Sequence, residues 1–184
     1  MTLDARPSTS RGVKPRGNPQ APKTADGAGL GFDIFEDLLS FYLRAANLLV
    51  SRDLDAHMAP SVLAGGTGKI SALLLIGANP GIRPSVLAHY ILKDRSAMGK
   101  LLDQLGRAGL IAQRVSATER RARELYLTPQ GHALAKEVRK TALQQSDAFF
   151  ALLSEEERAS LLRILKKLYA AHVGLVPEAV HDGP

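Results

Sequence analysis

The sequence predicts a mainly α-helical protein that carries one small β-hairpin. Three observations predict it. Apolar residues recur at steps of three and four through most of 33–174, as they do in helices with one buried face. Only 110–114 and 123–127 alternate as strands do, and the stretch between them is polar and rich in arginine. Residues suited to starting or stopping helices (Asp33, Thr67, Pro84, Asp94, Gly109, Thr128, Ser154, Gly174) stand at the edges of the periodic runs.

Residues 1–28 mix Pro7, Pro15, Pro19 and Pro22 with Gly, Ser, Thr and scattered basic residues, and hold almost nothing that could build a core. This composition predicts a disordered, mildly basic tail, which either adds nonspecific attraction to DNA or is an inert extension. Asp33 and Glu36 have capping-box spacing, and Phe35, Leu38, Leu39, Tyr42, Ala46, Leu49 and Val50 continue as one face of a first helix, expected over 33–57. After a Pro- and Gly-containing loop, Thr67 is expected to cap a nearly all-apolar, hence buried, second helix that stops at Asn79, Pro80 and Gly81.

A short third helix is expected from Pro84, with Val86, Leu87, Tyr90 and Ile91 on its apolar face. Asp94 caps a fourth, whose buried stripe is Met98, Leu101, Leu102 and Leu105 and whose end is Gly109. The two strands follow as a hairpin with a basic tip. Thr128 and Pro129 open a long helix to about residue 153. Ser154 and Glu157 repeat the capping-box spacing before a last helix, whose Leu161, Leu165, Leu168 and Tyr169 share one face and which ends at Gly174 and Pro177. Residues 29–174 are thus expected to form one domain, with a lobe over 67–127 and further helices over 33–57 and 128–174, and 175–184 are a C-terminal tail.

Composition narrows the function. A chain of 184 residues suits one core of ordinary size rather than a two-domain enzyme. With no cysteine, thiol redox sensing, thiolate metal sites and cysteine nucleophiles are excluded. The longest apolar run, 70–78, is too short for a bilayer, and the basic N-terminus has no apolar segment behind it, so neither membrane nor secretory signal is expected and the cytoplasm is. The formal charge is +6. Between Arg83 and Arg123 stand nine Lys or Arg against Asp94, Asp103 and Glu119, an excess of six that accounts for the whole net charge. That concentration points to a polyanionic partner.

No enzyme is expected. Gly65, Gly66, Thr67, Gly68 and Lys69 resemble a phosphate loop, but Leu63 stands where the pattern needs glycine and Ile70 where it needs Ser or Thr. His57, His89, His132, His172 and His181 have no paired-ligand spacing, and no serine sits in a Gly-x-Ser-x-Gly elbow, so no metal, cofactor or catalytic residue is assigned.

Two helices joined by a tight turn and followed by a hairpin form a winged helix-turn-helix, whose second helix enters the DNA major groove. The detail runs from Leu87, Ala88 and Leu105 through Gly109, Leu110, Ile111, Arg114, Glu119, Arg120, Arg121 and Ala122 to Leu127, Thr128, Pro129 and Gly131. This spacing resembles the MarR family of bacterial transcriptional regulators, closely over some fifty residues and loosely over the six-helix layout. The resemblance implies that Ser96, Ala97, Gly99 and Lys100 are the exposed positions of the recognition helix. It also implies that Arg120 and above all Arg121 are the wing tip, entering the minor groove. Glu119 replaces the family's usual aspartate and would orient Arg121 through a charge-assisted hydrogen bond. Arg83, Ser85, Arg95, Arg114 and Arg123 complete the expected DNA-binding set, and double-stranded DNA is the expected partner.

Independent physical chemistry agrees with these roles. A guanidinium suits a narrow, negatively charged minor groove, and short side chains at 96, 97 and 99 let a helix backbone approach base edges. Glycine in a helix interior costs about 1 kcal/mol relative to alanine, so Gly99 calls for a compensating reason: close approach to DNA, or close packing on a neighbouring helix. A solvated basic face is the bland alternative for the arginines, and a winged protein-interaction module, which would tolerate their loss, is the alternative function.

The first and last two helices carry more apolar surface than a small winged lobe can cover. Phe32, Phe35, Leu161, Leu165, Leu168 and Tyr169 are therefore expected at a homodimer interface, unless they complete the monomer's own core. Such a dimer would set two recognition helices about one DNA turn apart and read an inverted repeat. Many proteins of the resembled family respond to small aromatic or anionic effectors, and Asn47, Ser51, His57 and Thr67 are the polar candidates for such a pocket. By analogy, a ligand that changes the helix separation would relieve repression.

Overall fold

The computed structural model describes residues 30–58, 61, 63, 66–116, 119 and 122–174. They belong to two compact units, Met1–Phe41 and Tyr42–Pro184. In the first, Asp33–Glu36 form a 3-10 turn and the rings of Phe32 and Phe35 close on Phe41 at centroid distances of 5.9 and 5.1 Å. Asp33 does not cap the first helix, contrary to the sequence expectation. A capping residue needs an extended backbone, whereas Asp33 sits inside the turn at φ 49°, and helix α1 (Leu39–Met58) begins six residues later.

Helix α2 (Thr67–Ala78) starts one residue earlier than a Thr67 cap would allow. Extended Gly66 occupies the capping position, and Thr67 is the first helical residue. Its apolarity does predict its place: Ile70, Ala72, Leu73 and Ile76 are buried at the centre of the core. Helix α3 (Pro84–Tyr90) has proline in its first turn, as expected. Helix α4 (Arg95–Arg107) is capped by Asp94, whose carboxylate accepts from the Ala97 N–H at 2.7 Å, and it buries Met98, Leu101, Leu102 and Leu105. Gly109, at φ 69°, turns the chain out of it.

Strands β1 (Ile111–Val115) and β2 (Arg123–Leu127) pair antiparallel with Ile111 opposite Leu127 and Val115 opposite Arg123. The first strand begins one residue later than its alternation suggested, because Leu110 is buried in the core before the ladder starts. Ile82 adds a bridge on the far side of β2, where the Leu125 N–H donates to its carbonyl at 3.0 Å. Fully buried Leu63, Leu73, Ile76, Leu87, Leu105, Leu110 and Leu125 join the loop, helices and hairpin into one core. At about 1.5–3 kcal/mol for each fully buried aliphatic side chain, this cluster dominates the stability of the lobe.

Helix α5 (Pro129–Phe149) opens as the sequence predicts, and Thr128 shows how. Its hydroxyl accepts from the Gly131 N–H at 3.0 Å and donates to the Gly109 carbonyl at 2.6 Å, while its own N–H donates to the Leu110 carbonyl at 3.0 Å. The cap therefore fastens the start of α5 to the residues that lead into the hairpin. Helix α5 ends four residues before the expected 153, where the Arg158 guanidinium captures the Phe150 carbonyl at 3.1 Å. The Ser154–Glu157 capping box forms in full and opens helix α6 (Glu155–Val173), which ends on left-handed Gly174. Among the described residues no helix is long and apolar enough to cross a membrane.

Candidate nucleic-acid interface

The corner between α3 and α4 is tight. Leu92 adopts φ 55°, the Lys93 N–H returns to the Ala88 carbonyl at 2.9 Å, and Asp94 caps the next helix. The corner leaves one face of α4 outward, with Arg95, Ser96, Gly99 and Lys100 exposed. Ala97 is only half-exposed. A Cβ placed on Gly99 would meet nothing within 4 Å, so close packing on a neighbouring helix of this chain does not account for that glycine.

Beside this face runs an open groove of about 850 Å³, walled by Arg83, Ser85, Arg95, Gly99, Gln113 and Arg123, among others. Five of these were expected from the sequence. Gln113 was not, although strand alternation carries the signal: it pairs with buried Leu125 and so projects from the hairpin face that meets the core and the groove.

Arg114 lies elsewhere. It pairs with Glu124 on the opposite face of the hairpin, and its guanidinium sits 4.8 Å from the centre of the Tyr126 ring. Tyr126 donates its hydroxyl to Glu124 at 2.8 Å. A hydrogen bond from Ser116, this bond from Tyr126 and the charge of Arg83 together hold the Glu124 carboxyl below its ordinary pKa, while the same bond to Glu124 pushes the Tyr126 phenol up.

A lowered carboxyl contributes stability above its unfolded pKa and loses it as pH falls through the folded value; a raised phenol contributes below its unfolded pKa and loses it as pH rises through the folded value. The bond is therefore intact between the carboxylate and phenol ranges. In Glu124→Gln, the Tyr126 phenol is expected to return toward its ordinary pKa, measured as the difference in tyrosinate absorbance titration from a matching Tyr126→Phe variant. An unmoved phenol would mean that the bond does not form in solution.

Glu119 pairs with a residue that the sequence did not suggest. Its carboxylate takes the Arg83 guanidinium at 2.6 Å. The arginine it was expected to orient, Arg121, lies with Arg120 outside the described residues. Arg83 is thereby tethered at the mouth of the groove, on a half-exposed pair of a kind that contributes at most about 1 kcal/mol.

The residues expected at a dimer interface are mostly exposed. Phe32, Phe35, Leu165, Leu168 and Tyr169 are open, and Leu161 is half-buried. Leu162 and Ile164 of α6 are exposed as well and were not singled out in the sequence. The hydroxyl of Tyr169 turns back to its own chain and donates to the Tyr90 carbonyl at 2.6 Å. Of the four polar residues expected at an effector pocket, Asn47 and His57 are exposed and Ser51 and Thr67 half-buried, and none lines the groove. His57 donates to the Asp53 carbonyl of its own helix at 2.8 Å.

No protein-family model matches the chain. It is 33% identical over 148 residues to a protein named for transcriptional regulation of the hcr operon in Thauera aromatica, an alignment covering 80% of this chain and 89% of that one. Among solved structures, the transcriptional repressor CouR bound to a 23-mer DNA duplex superposes with a TM-score of 0.70 at 30% identity, covering 77% of this chain and 99% of that one. The MarR family protein Rv2887 of Mycobacterium tuberculosis, in complex with salicylic acid, has the same fold at a TM-score of 0.57 and 24% identity, covering 71% and 96% of the two chains. The chain belongs to the MarR family. In this MarR family regulator the six helices and two-stranded hairpin are the winged helix fold, α3 and α4 are its helix-turn-helix, and the hairpin is its wing.

Proposed function

We propose that this MarR family regulator is a repressor that binds an inverted-repeat operator as a homodimer, with α4 in the major groove and the hairpin tip in the adjacent minor groove. The observation that carries the reading is the exposed face of Ser96, Gly99 and Lys100 lying against a groove lined by Arg83, Arg95 and Arg123. Small side chains admit base edges, and the guanidinium groups meet the phosphates on either side. CouR, its relative, is bound to a duplex of 23 nucleotides per strand, about two helical turns, the span that a two-fold protein needs for two major grooves. The open apolar residues of α6 and of 30–41 support a second copy as the interface partner.

A small aromatic or anionic effector is part of the same reading, supported by the salicylic acid held by Rv2887. It would act by favouring a separation of the recognition helices that no longer fits the operator.

The test is binding of the purified protein to its own upstream intergenic DNA and to a scrambled duplex over a salt series, with Arg121→Ala alongside. The wild type is expected to prefer its own DNA with a steep salt dependence. Arg121→Ala is expected to lose about tenfold in affinity and to flatten the salt slope by about one. Equal, weak binding to both duplexes with no effect of the variant would instead favour a winged protein-interaction module.

A further inference from the structure

Helix α6 is fastened to its own chain at its ends. At the N-terminal end, Arg158 donates to the Asp147 carboxylate at 3.2 Å and to the Phe150 carbonyl at 3.1 Å. Through the middle, Leu162, Ile164, Leu165 and Leu168 are exposed. At the other end Val173, the buried residue of this helix, meets the helix-turn-helix. There the Tyr169 hydroxyl donates to the Tyr90 carbonyl at 2.6 Å, and His89 Nε2 donates to the Val173 carbonyl at 2.8 Å.

These two bonds are reciprocal. The last carbonyls of a helix have no partner within it. Tyr90 closes α3 and Val173 closes α6, so each helix supplies the side chain that satisfies the other's terminal carbonyl. The pair also stands at a mechanically sensitive place. Leu92, with its left-handed φ of 55°, and the Asp94 cap follow at once, so a shift at residues 89 and 90 passes directly into the start of α4.

We propose that His89 and Tyr169 are positioning residues that set the distance between the two recognition helices on DNA. The inference rests on the dimeric operator-binding reading. In that dimer the exposed face of α6 packs on its partner, the reciprocal bonds hold α6 to the end of α3, and α4 inherits its position from that corner. Tyr169 lies outside the groove, whereas His89 is part of its lining, so Tyr169 carries the distinction between spacing and direct contact. A role confined to stabilising the fold would lower binding to every DNA alike, whereas a spacing role acts on the relation between two half-sites.

The experiment uses the full chain and an operator selected by the wild-type protein from random-sequence duplexes. Dissociation constants are measured for that operator, for versions with one base pair added or removed between the half-sites, and for an isolated half-site. The wild type is expected to discriminate against altered spacing by about tenfold. Tyr169→Phe, which removes one oxygen, is expected to shrink that discrimination to about threefold at unchanged half-site affinity, and His89→Ala, at a residue that also lines the groove, to shrink it as far relative to its own half-site affinity. His89→Gln, which keeps an N–H donor, is expected to restore it. Undiminished discrimination in both variants, or an equal loss on every duplex including the half-site, would overturn the proposal. Absence of any sequence preference in the wild type would overturn the operator reading itself, before any variant is compared.

Discussion

Gly131→Ala is expected to lower folding stability by about 3 kcal/mol, in a position where the same change ordinarily stabilises. Alanine is the best helix former, and replacing a helical glycine with it usually gains about 1 kcal/mol. Gly131 is buried in the first turn of α5, where the Thr128 hydroxyl, its bond to the Gly109 carbonyl and the Thr128 N–H bond to Leu110 press the helix onto the chain entering the hairpin. A Cβ at 131 would collide with the Leu110 carbonyl, which is backbone and cannot rotate aside. Relief requires α5 to lift from the hairpin, opening the core around Leu110, Ala135 and Val138. In a domain of this size the expected fall in Tm is roughly 10 °C, read by thermal or urea unfolding. A raised or unchanged Tm would show that α5 is not seated on Leu110 as described.

Gly99→Leu is expected to do the opposite to the fold and to cost the DNA reader most of its affinity. The position is exposed, mid-helix, and its missing Cβ would meet open space, so a helix-forming side chain there is expected to raise stability by about 0.5–1 kcal/mol. On the proposed interface the new isobutyl group stands between α4 and the base edges. Affinity for the selected operator is then expected to fall by about 100-fold, of the order of 2.7 kcal/mol. Gly99→Ala should lie between. Gly106→Ala supplies the control, since it too would meet open space on α4 but lies at the helix end remote from the Asp94 cap and outside the groove. It is expected to gain similar stability with unchanged DNA affinity. Equal affinities for Gly99→Leu and the wild type would remove α4 from the major groove.

The caps show what kinds of feature a sequence carries openly. Asp94, Thr128 and Ser154 act on N–H groups within three residues of themselves, so the chain need only be read locally to find them. Asp33 and Thr67 have equally good chemistry and do not cap. At the first, three phenylalanine rings close around a different turn, and at the second, an extended glycine takes the position. The basic stretch from 83 to 123 likewise announced a polyanion partner from charge alone, whereas the division of its arginines between two faces of the hairpin needed the strand register. Arg123 faces the groove, and Arg114 lies on Tyr126 across the sheet from it.

By itself, the sequence determined the order and type of the helices, the hairpin, most caps and stops, the buried stripes of α2 and α4, and the concentration of positive charge, since each depends on residues within a few turns of one another. Only the tertiary structure decided the partners of Arg83, Tyr169 and His89, which find Glu119, Tyr90 and Val173 at separations of 36, 79 and 84 residues. It also placed Gln113 in the groove and Gly131 against Leu110. Such contacts arise where packed elements happen to bring donors to unfilled carbonyls and carboxylates. Periodicity says which face of a helix is buried, but not which distant atom will meet it.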